Sequence, residues 1–192
     1  MGTDYLDKDI LESRKMIRKS KYNTLQTGIY INDEVVHFTA AKILDERAEA
    51  MLPDTFVDMP ANLARLKYMS EQRPQIIKTS LDTTVNFTFS LYGIELPEEE
   101  IDSTIHQFKN LIQKVNPACV FDEIVTEKEQ GVGWFDFKSF GVDEQIYNIM
   151  YVKPIGGRLL HGVFNCMYRD MAEWKDAAIQ VIYSVRDLTE EG

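Results

Sequence analysis

The chain has 192 residues, of which 44% are hydrophobic and 11% aromatic, so it can bury a core without disulfide or metal staples. Its net charge of −10 argues against nucleic-acid binding, which needs clustered Lys and Arg, and against docking on anionic lipid. No apolar run approaches the length of a membrane span, and no signal-peptide core opens the sequence. Cytoplasmic location without membrane insertion is therefore expected.

The first element predicted is a helix over residues 4–20. Acidic residues come first and basic residues follow, which complements the helix dipole. We expect residues 1–23 to be a helical extension and residues 24–192 to form a single α+β domain. The extension is expected to be a partly docked or frayed N-terminal helix, with a partner-binding arm or an oligomerisation helix as alternatives.

The next part of the chain predicts a β-hairpin, a short helix and a strand. Gly28–Ile31 and Val35–Thr39 alternate around a polar turn, as hairpin strands do. The stretch 40–50 is compatible with either helix or strand. Pro60 is expected to open a short helix that ends near Tyr68 and buries Leu63 and Leu66.

The second half of the chain predicts a strand, a helix and a three-stranded meander. Apolar and polar residues alternate over residues 83–91, which indicates a half-buried strand. Apolar residues recur at helical spacing over 97–116, behind an acidic first turn. Three strand-like runs follow, at 133–140, 145–152 and 158–168, and Gly156-Gly157 is expected to make a tight turn between the last two.

A closing helix is predicted from Asp170 to about residue 185, with Asp170 and Glu173 as a capping box. The meander strands carry apolar residues on both faces: Trp134 and Phe140 point one way, Phe135 and Phe137 the other. A sheet of this kind must be covered on both sides. The predicted fold class is therefore α+β, a mainly antiparallel sheet with helices packed on both faces, plus the N-terminal helix.

The sequence contains no pattern that predicts catalysis, metal binding or a cofactor. His37, His106 and His161 show none of the spacings of metal sites. Cys119 and Cys166 lack CxxC spacing and are expected to be buried free thiols, although one long-range disulfide is compatible with the sequence. His161 and Cys166 lie five residues apart on one predicted strand, so their side chains should point to opposite faces and form no catalytic pair.

One group of aromatic residues predicts a partner-binding surface. Tyr and Trp are enriched at protein interfaces, and the candidate residues are Trp134, Phe140, Tyr147, Tyr151 and Tyr168. The alternative is that these aromatics form core beneath a helix.

Four features together resemble the PsbP/DcrB-like superfamily of α/β/α sandwiches. They are the segment Leu52–Phe56 before a short helix, the strand 85–91, the helix 97–115 and the closing Trp174–Val185 helix. They span roughly residues 50–188, and within the superfamily the segment looks most like bacterial proteins. Known members bind other proteins or assist complexes, so the resemblance implies a non-enzymatic role. No functional residue is carried over, because the members share no functional motif.

The function predicted from these observations is that of a cytoplasmic bacterial adaptor or chaperone-like module. It would bind a protein partner, or form a homo-oligomer, and use no cofactor. The alternative is a small-molecule or lipid-binding protein, or an enzyme whose site assembles from distant residues. A deep pocket with convergent polar groups such as His106, His161 or Cys166 would favour that alternative.

Overall fold

The computed structural model describes residues 3–141 and 143–189, with side chains from residue 10 onward. Within them the helices are α1 (Thr3–Lys21), α2 (Ala61–Lys67), α3 (Ile101–Val115) and α4 (Met171–Ser184). The strands are β1 (Asn23–Thr24), β2 (Gly28–Ile31), β3 (Glu34–Val36), β4 (Phe38–Ile43), β5 (Ala48–Pro53), β6 (Val57–Asp58), β7 (Ile76–Thr79), β8 (Asn86–Glu95), β9 (Val120–Glu127), β10 (Val132–Phe140), β11 (Gln145–Ile155), β12 (Arg158–Met167) and β13 (Arg186–Asp187). Short 3-10 turns, Glu98–Glu100 and Tyr168–Asp170, lead into α3 and α4.

A seven-stranded antiparallel sheet organises the molecule. Its strand order is β6-β7-β8-β12-β11-β10-β9, so β12 lies at the centre. The predicted meander forms its middle, where β10 pairs with β11 and β11 with β12. Gly156 and Gly157 close the second hairpin with φ values of 56° and 69°, which suits a two-residue turn of the type that glycine favours.

Both faces of the sheet are covered, as the alternating apolar pattern predicts. Phe135 and Phe137 belong to the core beneath α3. Trp134 belongs to the larger core, to which α4 and the strands β2 to β5 also contribute. We refer to these sides as the α3 face and the α4 face. The arrangement confirms the predicted fold class, a mainly antiparallel sheet with helices on both faces.

Two small sheets extend the α4 face. One has the order β1-β2-β3 and the other β13-β5-β4. The ambiguous stretch 40–50 is strand, because β4 and β5 pair from Phe38↔Pro53 to Ile43↔Ala48. Their connection places Leu44, Asp45 and Glu46 at positive φ. That turn ends the strand pairing and allows the chain to reverse without a helix.

Helix α2 buries different residues from those predicted. Leu63 is partly exposed and Leu66 is largely exposed, so the predicted buried side was wrong. Ala64 packs instead with Ile77, and Tyr68 follows it one turn later. A small residue at the contact allows this seven-residue helix to approach the sheet closely. The leucines are consequently left on its outer side.

The predicted capping box at α4 is also absent. Asp170 makes no capping hydrogen bond, because the preceding 3-10 turn gives it a helical backbone with φ −95° and ψ −1°. A capping side chain usually comes from an extended residue. Glu173 accepts a hydrogen bond from Lys19 of α1 at 3.0 Å instead. The acidic residue of the motif therefore ties the N-terminal helix to the body.

Helix α1 lies on the outside of the molecule and is attached largely by charged groups. Lys15 pairs with Asp33 at 3.1 Å, and the Arg18 guanidinium lies 5.9 Å from the centre of the Tyr30 ring. No helix among the described residues is long and apolar enough to span a membrane.

Candidate functional site

Three of the five aromatic residues predicted to bind a partner are core residues. Trp134, Tyr147 and Tyr151 are 7%, 2% and 1% exposed, because each points from a central strand into the α4 face. The indole of Trp134 donates to the hydroxyl of Tyr183 at 3.2 Å. The Tyr147 hydroxyl donates to Asp136 at 2.7 Å. These three residues therefore belong to the core beneath a helix, which was the alternative to a partner-binding surface.

The other two aromatics, Phe140 and Tyr168, are exposed to 48% and 36%. They lie at one end of the sheet, where β10 stops and β12 has just ended. The ammonium group of Lys138 is 5.4 Å from the Phe140 ring centre and 4.9 Å from that of Tyr168. One end of the sheet thus retains part of the predicted surface.

A row of polar residues crosses four strands near the same end of the sheet. Thr79 of β7 lies opposite Asn86 of β8, Asn86 opposite Asn165 of β12, and Asn165 opposite Asn148 of β11. Residues in register share a face, and this row lies on the α3 face beside α2. We call these four residues the amide row.

Hydrogen bonds connect the amide row to helix α2. Thr79 Oγ1 donates to Asn86 Oδ1 at 2.7 Å, and Asn86 Nδ2 donates to Asn165 Oδ1 at 2.8 Å. Asn165 Nδ2 donates to the hydroxyl oxygen of Tyr68 at 3.2 Å. Buried amides must be partnered in this way to avoid a desolvation penalty. The row therefore fixes Tyr68 over the sheet.

The amide row ends in an open pocket of about 510 Å³. Its walls are Tyr68 beside α2, Asp82 and Thr84 from the β7–β8 turn, and Asn148 and Asn165 from the sheet. The turn is held by Asp82, which accepts hydrogen bonds from Ser80 and Thr84. Helix, turn and sheet thus converge on one concave site, the arrangement typical of binding pockets.

Exposed apolar residues are chain neighbours of the residues that line the pocket. Leu66 of α2 and Met69 beyond its end stand on either side of Lys67 and Tyr68, and Leu81 precedes Asp82 in the turn. They are exposed to 73%, 84% and 79%. We call Leu66, Met69 and Leu81 the pocket rim. Isolated exposed apolar residues are ordinary, but several that adjoin the lining of one concavity favour an interaction site.

Three side chains that point into the pocket region have clearly shifted pKa values. Burial lowers the pKa of Lys67. Burial also raises the pKa of Tyr68, opposed by the hydrogen bond from Asn165. The hydrogen bond from Ser80 lowers the pKa of Asp82. Tyr68 and Asp82 therefore suit binding through fixed hydrogen bonds better than proton transfer, which needs a pKa near the working pH.

The predicted histidines do not join this site. His161 lies further along β12, where its ring stacks on Phe108 with centres 5.0 Å apart, and burial lowers its pKa to about 4. Cys166 packs into the α4 face, so the two point apart as predicted. His37 and His106 are exposed. Cys119 and Cys166 are buried free thiols, and no metal-binding cluster occurs among the described residues.

The sequence already placed Asn86 on the polar side of its strand, but the amide row itself was missed. Asn86, Asn148 and Asn165 come from three separate strands, and nothing local to any of them reveals their register. The sequence carried one signal, the polar side of the strand over residues 84–90. In the structure this polar side is buried at Asn86, Thr88 and Ser90.

Comparisons with solved structures find the same architecture in distant proteins. The PsbP protein CyanoP of the cyanobacterium Synechocystis sp. PCC 6803 matches with a TM-score of 0.55 and 11% identity, over 81% of this chain and 95% of its own. The Ran-binding protein Mog1p of Saccharomyces cerevisiae matches with a TM-score of 0.51 and 8% identity, over 81% of this chain and 98% of its own.

At the level of sequence, no protein-family model matches the chain, and no curated protein does so significantly. The likeness is therefore one of fold, carried by the antiparallel sheet and the helices on its two faces. The chain has the fold of the PsbP-like superfamily.

Proposed function

We propose that this protein is a non-enzymatic protein-binding module, and that its partner docks on the pocket and the pocket rim. One observation carries the proposal: Leu66, Met69 and Leu81 adjoin, along the chain, residues that line a pocket of about 510 Å³, and all three are largely exposed. Protein interfaces concentrate their binding energy where an anchor enters a pocket and surrounding contacts exclude water. The pocket and its rim supply both parts.

We propose that the binding surface continues around this end of the sheet to two exposed aromatics. Phe140 points to the α4 face, opposite the pocket, and Tyr168 directly follows Met167, which lines the pocket. Glu144 also pairs with Arg169 at 3.4 Å. The proposed surface therefore has an apolar border on one side and an aromatic and charged border on the other, which resembles the polar periphery of protein interfaces.

The fold neighbours are consistent with this role. Mog1p is a Ran-binding protein, which gives one example of this architecture serving a protein partner. At 8% identity the likeness transfers no residue and no partner, since one fold supports many functions. We propose for this chain the general role, an adaptor or chaperone-like module acting in the cytoplasm of a bacterium.

The test compares how well two double variants capture partner proteins. One places lysines at the pocket rim, and the other places lysines at exposed apolar positions of α3. Leu81→Lys combined with Met69→Lys changes the pocket rim. Leu111→Lys combined with Val115→Lys changes exposed residues of α3. Each tagged protein is incubated with lysate of the source organism, and captured proteins are quantified by mass spectrometry. A captured candidate is then purified and its affinity measured by calorimetry.

The expected result is a partner whose affinity falls at least tenfold with the rim variant and stays unchanged with the α3 variant. Deleting residues 1–23 is expected to leave the affinity unchanged, because we assign binding to the domain formed by residues 24–192. Equal capture by both lysine variants, or no saturable partner, would overturn the proposal.

A small-molecule ligand is the second candidate function, because the pocket volume falls within the usual range of ligand sites. Native mass spectrometry of protein purified from its source organism distinguishes the two. A stoichiometric small molecule, lost on Tyr68→Phe, would favour this alternative.

A further inference from the structure

The direction of the hydrogen bonds in the amide row determines what the pocket offers a ligand. Thr79 donates to Asn86, Asn86 to Asn165, and Asn165 to the hydroxyl oxygen of Tyr68. Every link donates in the same sense along the row, which ends at Tyr68. Aligned hydrogen bonds polarise one another. The Tyr68 oxygen accepts from Asn165, so its own O–H is left to donate into the pocket.

The opposite direction of the row is disfavoured by a backbone group. Reversal would exchange the oxygen and nitrogen of the Asn86 amide, an exchange that must always be judged from neighbouring atoms. The carbonyl oxygen of Thr83 lies 3.4 Å from Nδ2 of Asn86. An amide nitrogen is compatible with that neighbour and an amide oxygen is not. The Thr83 carbonyl thus orients the whole row.

A complementary acceptor lies in the same pocket. Asn148 donates through Nδ2 to Ser139 at 2.9 Å, to the carbonyl of Ile146 at 3.2 Å and to that of Phe137 at 3.4 Å. Three acceptors around one nitrogen fix the orientation of the amide. Oδ1 of Asn148 accepts no hydrogen bond from any described residue, and Asn148 lines the pocket. It is therefore available to a ligand.

The charges of the pocket are close to balanced. Lys67 donates to the carbonyl oxygen of Thr83 and lines the pocket together with Asp82. Glu144 is paired with Arg169 at 3.4 Å. A charged ligand gains little net attraction here and would lose its hydration. The pocket therefore suits an uncharged group.

We propose that the pocket recognises an amide group of the partner, with the Tyr68 hydroxyl donating to its carbonyl oxygen and Asn148 Oδ1 accepting from its N–H. This rests on the proposed function, because it names the chemical group that the docked protein would insert. A main-chain amide and an Asn or Gln side chain share this chemistry. Both present one acceptor and at least one donor.

The test titrates small probes against the isotope-labelled full-length protein and follows the side-chain amide signals of Asn86, Asn148 and Asn165 by NMR. The probes are acetamide for a side-chain amide, N-methylacetamide for a main-chain amide, acetate and methylammonium. We expect saturable shifts of the Asn148 and Asn165 signals with one or both amides. The two charged probes are expected to bind at least about fivefold more weakly.

The variant Tyr68→Phe removes only the hydroxyl group. It should lower the affinity for the amide probe about fivefold, the effect expected for the loss of one net hydrogen bond. Tyr92→Phe removes a hydroxyl that lies elsewhere on the α3 face and should change nothing. Thermal unfolding of each variant confirms that it is folded. Absence of saturable shifts, tighter binding of a charged probe, or equal affinity for wild type and Tyr68→Phe would overturn this inference.

The outcome is separable from that of the proposed function. A purified partner that depends on the pocket rim but binds Tyr68→Phe as tightly as wild type would uphold docking and refute amide recognition. Amide probes that saturate the pocket in the absence of any rim-dependent partner would uphold recognition and refute protein docking.

Discussion

Tyr151 lies directly across Gly162. The two residues are opposite each other on β11 and β12, and a Cβ atom built on Gly162 would lie 2.1 Å from Cζ of the Tyr151 ring. Tyr151 is 1% exposed, and its pKa is raised by burial. At the centre of the sheet, the ring of Tyr151 therefore fills the space that a side chain at position 162 would need.

Gly162→Ala is expected to destabilise the protein by about 2 kcal/mol or more, because the methyl group must displace a buried ring. Urea unfolding measures the loss. Gly93→Ala is the matched control, since it is also a strand glycine and a Cβ there meets nothing within 4 Å. Its stability should be unchanged or slightly higher. Equal effects of the two substitutions would contradict the packing described.

The parts of the fold that the sequence predicts are those carried by local patterns. Trp134 and Phe135 are adjacent and apolar, which placed a covering layer on each face of the sheet, and the structure has both layers. The glycine pair 156–157 likewise predicted its hairpin from turn chemistry alone. The helix 97–116 followed from apolar spacing and an acidic start. None of these inferences requires knowledge of which strands are neighbours.

What the sequence could not predict depends on position within the assembled sheet. Trp134 and Phe140 point to the same side of β10, yet one is 7% and the other 48% exposed, since Phe140 is at the end of its strand. The amide row requires the register of four strands at once, with Thr79 and Asn165 separated by 86 positions along the chain. Depth and register are tertiary properties, and alternation along one strand does not encode them.

The buried carboxylate of Asp136 supplies a second prediction. It accepts hydrogen bonds from the Tyr147 hydroxyl at 2.7 Å and from the Lys175 ammonium at 2.6 Å, and its side chain is 2% exposed. Lys175→Met keeps the apolar part of the side chain and leaves this charge without its cation. We expect a loss of about 1–2 kcal/mol in the free energy of unfolding, because Lys175 is itself partly exposed to solvent.

An ion pair on the surface provides the control for the loss of stability expected of Lys175→Met. Lys42 pairs with Glu46 at 2.9 Å, with both side chains largely exposed, so Lys42→Met should have no measurable effect. Chemical unfolding at low and high salt measures both variants. If Lys175→Met were as stable as Lys42→Met, the buried pair would have no special role in stability.

His161 predicts a dependence of stability on pH. Phe108 and Tyr92 lie beside its ring, and its neighbours across the sheet are Ser90 and Val152. None of these four side chains is charged, and Nε2 is buried without a partner among the described residues. Burial lowers its pKa from 6.5 to about 4. Below about pH 6.5 the unfolded chain therefore binds a proton that the folded chain does not.

Stability should consequently fall as the pH drops from about 6.5 to 4, by at most about 3 kcal/mol from this residue. His161→Phe keeps the stacked ring and removes the titrating group, so its stability should fall less over the same range. At pH 7 it should be at least as stable as wild type, because an unpartnered nitrogen is removed. His106→Gln changes an exposed histidine and should follow wild type; identical pH curves for wild type and His161→Phe would refute this account.

Substitution of the aromatics distinguishes core from surface. Trp134→Ala removes a side chain that is 7% exposed and packed in the main core, and a loss of about 3–5 kcal/mol is expected. Phe140→Ala removes one that is 48% exposed and should change the midpoint of urea unfolding little. Under conditions in which both variants are folded, Phe140→Ala should lower the affinity for the partner more than Trp134→Ala does. A folded Trp134→Ala protein that loses its partner while Phe140→Ala retains it would contradict binding at the exposed end of the sheet.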